Sequence, residues 1–172
     1  PLIMGHEGVG RVVALGPNAS RLKIGDRVGI GYVYAACGHC RDCLTGGENY
    51  CPDFDATGYS VQGCFAEYVC LRDQWANKIP NEITPIEAAP LMCAGAAAYA
   101  SIKKTGVQTG DTVAIFGMGG LGQYAVQIAK LMGLRVIAVD ISTNKLATAE
   151  SLGADERVIA NDQAGENITA LG

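Results

Sequence analysis

Four cysteines within fifteen residues constrain the fold of this chain more than any other feature. The stretch CGHCRDCLTGGENYC places Cys37, Cys40, Cys43 and Cys51 as Cys-x2-Cys-x2-Cys-x7-Cys. Spacers this short return the chain to one centre at little loop-closure cost, and four thiolates complete the tetrahedral shell of a structural zinc. Gly38, Gly46 and Gly47 lie where tight turns are needed. A disulfide cluster, a Cys-x-x-Cys redox pair or an iron-sulfur cluster would use the same spacing. Zinc is favoured because no signal peptide precedes the lobe and the remainder reads as an intracellular enzyme. A closed four-thiolate site predicts a structural lobe and says nothing of catalysis. His39, between two of the cysteines, is expected to be a solvated loop residue, and Cys64 and Cys70 to be small apolar ones.

The 172 residues are 49% hydrophobic, enough for a substantial core, and the net charge of -4 offers no basic face for nucleic acid. The expected partners are small molecules. The Ala-rich uncharged stretch 88–102 is short and broken by Pro90 and Gly95, so no membrane span is expected there. A soluble, cytoplasmic protein follows. The chain opens on PLIMGHEG and is expected to be a piece of a longer protein, truncated at both ends.

Residues 9–33 alternate short β-branched runs with Gly-Pro-Asn and Ile-Gly-Asp-Arg turns, the pattern of a small β-barrel, and FAEYVCL at 65–71 is expected to continue it as a strand. Beyond residue 110 the pattern changes. TVAIFG reads as a short apolar strand, Leu121, Tyr124, Ala125, Ile128 and Ala129 recur at helical spacing, and RVIAVD at 135–140 is a second strand. A helix over 144–152 capped by Gly153, then a strand at 157–160, completes β-α-β-α-β, the first half of a doubly wound sheet. The fold class is therefore α/β with two domains, 1–94 and 95–172.

Gly117, Gly119 and Gly122 form Gly-x-Gly-x-x-Gly between the first of these strands and its helix. The first glycine permits the turn, the second admits a pyrophosphate and the third brings helix against strand. The helix N-terminus then offers free amides to the phosphates. Asp140 follows Gly122 by 18 residues at the end of the second strand. There it can accept from both ribose hydroxyls and repel a 2′-phosphate, favouring NAD over NADP; it could instead cap the next helix. His6, beside Glu7, and Cys93 are candidate ligands for a second metal, although either alone reads more readily as a core residue than as a ligand.

GHEG, the four-cysteine lobe, LMCAG and GMGGLG, in this order and spacing, make the chain resemble the zinc-dependent medium-chain alcohol dehydrogenases, most closely the yeast-type branch. The resemblance covers essentially the whole chain. It implies a partial GroES-like catalytic domain with the structural zinc lobe, then a partial Rossmann domain, with the active site between them. It further implies that His6 and Cys93 hold a catalytic zinc, that Glu7 is its acidic neighbour, and that Cys37, Cys40, Cys43 and Cys51 hold the structural zinc. Gly117, Gly119, Gly120 and Gly122 match the pyrophosphate turn, Asp140 the ribose carboxylate, Lys145 a residue near the adenosine and Tyr32 an aromatic of the substrate pocket. The implied reaction is NAD-linked interconversion of an alcohol with an aldehyde or ketone, by a homo-oligomer. A polyol or glutathione-adduct dehydrogenase of the same family, or a catalytically silent zinc and nucleotide-binding module, would share these motifs. The family's remaining zinc-ligating cysteine and proton-relay hydroxyl would precede Pro1, and Ala97 stands where the family often has a threonine. Residues 1–172 alone are accordingly expected to be inactive.

Overall fold

Short strands separated by glycine-centred turns build the first part of the chain, and a parallel β-α repeat builds the second. The computed structural model describes residues 1–171. They divide into two compact units, one from Pro1 to Cys93 and the other from Ala94 onward.

In chain order the first unit contains β1 (Gly8–Arg11), β2 (Arg27–Ile30), β3 (Val33–Ala35), α1 (Arg41–Leu44), β4 (Asp55–Ala56), β5 (Ala76–Lys78) and α2 (Pro85–Ala88). β2 is the centre of an antiparallel sheet of order β1-β2-β5, with Gly8 opposite Ile30 and Val28 opposite Lys78. The Ile-Gly-Asp-Arg turn expected before β2 is present. Gly25 has φ +88°, a left-handed backbone that favours glycine, and its amide bonds to the Val12 carbonyl. β3 and β4 pair antiparallel and flank the cysteine lobe. α2 starts at a capping box in which Thr84 and Glu87 satisfy each other's amides.

Residues 65–71 do not form the strand their composition suggests. The chain is anchored just before them by bonds from Gly63 N to Ile3 O, Cys64 N to Gly5 O and Phe65 N to Met4 O. Past this point Phe65, Tyr68 and Cys70 face solvent, so Cys70, expected to be a small apolar residue of a strand, is an exposed residue outside any strand. Cys64, by contrast, packs against the bare backbone of Gly8, where a Cβ would lie 2.8 Å from its own.

The second unit runs α3 (Ala94–Thr105), β6 (Thr112–Phe116), α4 (Gly120–Leu131), β7 (Arg135–Asp140), α5 (Thr143–Ser151), β8 (Glu156–Ile159) and α6 (Ala164–Leu171). β6, β7 and β8 form a parallel sheet in that order, in register from Thr112 opposite Arg135 and Ile137 opposite Glu156. β7 is covered on both faces, which is why RVIAVD is a nearly continuous apolar run. Val136 and Ala138 pack with Met118, Val126, Ala129, Leu146 and Ala149 on one face, and Ile137 and Val139 pack with Val158 and Ala164 on the other. Gly153, at φ +104°, ends α5 as expected, its amide bonding to Glu150 O. The inner face of α4 is Gly122, Val126 and Ala129, whereas Leu121 points outward.

Candidate functional site

The cysteine lobe closes on itself through its own amides. Gly38 and Gly46, at φ +78° and +77°, turn the chain back before and after α1. The N–H groups of Cys37, Cys40 and Cys43 then donate to the sulfurs of Cys51, Cys37 and Cys40 at 3.4, 3.3 and 3.4 Å. All four sulfurs lie within 4.8 Å of one another, Cys37 and Cys43 at 3.9 Å. Zinc–sulfur bonds of about 2.3 Å in a tetrahedron require sulfur separations of about 3.8 Å, so the set fits one zinc. The amides of His39 and Cys40 draw the Cys37 thiol down to about 6, while burial pushes the Cys43 thiol up to about 12. A cation held among the four sulfurs would favour the thiolate form. His39 faces solvent, outside the ligand set.

A second pair is drawn together from opposite ends of the first unit. The 3-10 turn Ala89–Met92 seats against β2 because Gly29 has no side chain: a Cβ there would collide with the Met92 sulfur, and one at Gly31 would come within 3.3 Å of the Met92 carbonyl. This close approach sets Cys93 beside His6, with Nε2 3.3 Å from Sγ. Two ligands of one tetrahedral zinc would stand about 3.5 Å apart, so these two also fit a shared metal. Burial and, after it, the charge of Glu7 push the Cys93 thiol above its ordinary value. Tyr32 packs edge-on to His6 with centroids 5.1 Å apart, and Phe54 lies 5.5 Å from Tyr32. Among the described residues, the four cysteines are the one set of three or more ligands close enough for a metal; no third ligand joins His6 and Cys93.

In the second unit, Gly117 leaves β6 at φ +86° and its amide bonds to Val139 O at 2.7 Å. A Cβ on Gly122 would strike the Gly117 carbonyl, so the third glycine is required by packing. Side chains at Gly117, Gly119 and Gly120 would meet nothing within 4 Å, and that open face over the amides of α4 is the room a pyrophosphate needs. Asp140 is 6% exposed and accepts from Met118 N at 2.6 Å and Ser142 N at 2.9 Å, bonds that hold its carboxyl below the usual carboxylate range. Lys145 Nζ is 4.0 Å away. The α5 N-cap is Ser142, so Asp140 does not play that part. The sequence reading overlooked Met118, whose side chain is fully buried while its amide meets Asp140, and Phe54. An apolar residue between two turn glycines was the available signal for Met118; Phe54 had none.

Two family models match the chain: the alcohol dehydrogenase GroES-like domain over residues 1–81 and the zinc-binding dehydrogenase domain over 120–172. An alcohol dehydrogenase of Geobacillus stearothermophilus is 52% identical over 155 residues, 90% of this chain and 46% of that protein. The chain belongs to the zinc-dependent medium-chain alcohol dehydrogenase family. Among solved structures of this family, a cinnamyl alcohol dehydrogenase from Sorghum bicolor superposes with a TM-score of 0.89 at 34% identity, over 98% of this chain and 51% of that one. An NAD-dependent alcohol dehydrogenase gives 0.88 at 35% identity, over 99% and 50%. The chain thus spans about half the length of the alcohol dehydrogenases it matches. These matches define the family without distinguishing its yeast-type branch. Among the described residues no helix is long and apolar enough to cross a membrane.

Proposed function

We propose that these residues serve a zinc-dependent, NAD-linked interconversion of a small alcohol with its aldehyde or ketone. The observation that carries the reading is the His6–Cys93 pair: an imidazole and a thiol 87 positions apart brought to 3.3 Å beside an aromatic wall. A zinc held there supplies Lewis acidity toward the substrate oxygen, and a nicotinamide supplies the hydride acceptor. His6 and Cys93 hold the metal through one nitrogen and one sulfur, and Glu7 contributes negative charge beside them. Tyr32 and Phe54 give the substrate an apolar surface that orients its carbon chain and excludes water. Gly119 and Gly120 admit the pyrophosphate, Asp140 accepts from the ribose hydroxyls, and Lys145 flanks the adenosine. Cys37, Cys40, Cys43 and Cys51 hold a second, structural zinc. Seven cysteines, none of them paired in a disulfide, suit a reducing, cytoplasmic setting.

The test is turnover by the protein expressed from its complete gene, with zinc, NAD or NADP, and a panel of short alcohols and polyols. Zinc-dependent oxidation of a short alcohol with NAD preferred is the expected result. Zinc and dinucleotide binding without turnover would replace it with the silent-module reading. Equal use of NADP would remove the role given to Asp140, since a buried carboxylate beside a 2′-phosphate is strongly unfavourable.

A further inference from the structure

We infer that Asp140 is a positioning residue for the glycine turn, so that one carboxylate couples recognition of the ribose to presentation of the pyrophosphate seat. The inference rests on the reading that this turn receives a dinucleotide. The turn is tied to β7 at two points: the Val139 carbonyl takes the Gly117 amide, and Asp140 Oδ2 takes the Met118 amide at 2.6 Å. Only the second is a side-chain bond. Its acceptor is charged and almost fully buried, and such bonds are shorter and about twice as strong as neutral ones. Met118 cannot drift from it, because its side chain is fully buried in the core between β7, α4 and α5.

The residues on either side of Met118 have no anchor of this kind. Gly117 is left-handed, and Gly119 is the extended residue from which α4 departs, with no side-chain cap. Asp140 therefore fixes the one residue between the two glycines and, through it, the direction in which the first amides of α4 point. Its other oxygen holds Ser142 N at 2.9 Å, which starts α5. A carboxylate has about four lone-pair sites, so the Met118 and Ser142 bonds do not exhaust its capacity to accept a ribose hydroxyl.

The experiment titrates the protein expressed from its complete gene, and its Asp140→Ala and Asp140→Asn variants, with ADP and with 2′,3′-dideoxy-ADP, which keeps the diphosphate and lacks both hydroxyls. A positioning role predicts that Asp140→Ala weakens dideoxy-ADP at least tenfold, and that Asp140→Asn, which retains an acceptor for Met118, recovers most of that loss. If both variants bind dideoxy-ADP as the wild type does and lose only ADP, Asp140 is a ribose acceptor alone and the inference is overturned. Wild-type binding of ADP with no binding of the dideoxy analogue overturns it as well. A wild type that binds neither sinks the dinucleotide reading, and the inference with it. Should Asp140→Ala fail to fold, Asp140→Ser, whose shorter side chain does not reach the Met118 amide, takes its place in amide exchange: a Met118 N–H protected in the wild type and exchanging at least tenfold faster in Asp140→Ser supports the role, and one unprotected in the wild type or equally protected in the variant overturns it.

Discussion

Gly120 and Gly122 stand two residues apart at the start of α4 and answer different demands. At Gly122 a Cβ would occupy the place of the Gly117 carbonyl, so Gly122→Ala must push the helix away from the turn. The expected cost is about 1–3 kcal/mol, the usual range for overpacking. At Gly120 nothing lies within 4 Å, and Ala is the better helix former. Gly120→Ala should therefore leave stability unchanged or raise it by up to about 0.5 kcal/mol. Urea denaturation of the two variants measures both, and equal losses would contradict the collision argument. The glycine pattern made this turn legible in the sequence, because it states which backbone positions must be bare. The distance from Asp140 to Met118 was not legible, since a strand-terminal carboxylate can face ribose, helix or turn and only the packing of Met118 selects among them.

Between elements, one carboxylate just before β8 does much of the fastening. Asp155 accepts from Lys130 Nζ of α4 at 2.7 and 2.8 Å and from Val136 N of β7 at 2.7 Å. Lys130 and then the Val136 amide hold its carboxyl below the ordinary value. A depressed carboxylate stabilises the fold above its unfolded-state value, near pH 4, and that contribution disappears as pH falls through the folded value. Asp155→Asn should cost about 1 kcal/mol at pH 7, a modest figure because the pair is partly solvated. The gap in thermal midpoint between wild type and variant should narrow below pH 4; a gap that stays constant down to pH 3 would show that charge plays no part. Elements were legible where periodicity was strong, as in β7 and α4, and missed where it was not. α3 was hidden because Pro90 and Gly95 suggest breakage, yet Pro90 falls in the preceding 3-10 turn and Gly95 is buried within the helix. The strand expected at 65–71 failed for the opposite reason: its composition favours pairing, but none of the described sheets includes it.

For the whole molecule, the decisive quantity is how many zinc ions the 172 residues retain. The described residues present one set of four sulfurs with near-tetrahedral spacing and one pair of ligands without a third. Affinity follows the number of strong donors and the loss of solvent from the site, so the two should differ greatly. Metal analysis of the purified chain after extensive dialysis is expected to give about one zinc per chain. Cys51→Ser should reduce that value toward zero, because Cys51 is the buried member of the set and a hydroxyl is a poor substitute for thiolate. His6→Ala should leave it unchanged. The chain is also expected to show no alcohol turnover, since a metal held by only His6 and Cys93 would exchange with buffer. Retention of two zinc ions, one of them lost in His6→Ala, would mean that a third ligand reaches the His6–Cys93 pair in solution, and zinc-dependent turnover would then be expected from these 172 residues alone.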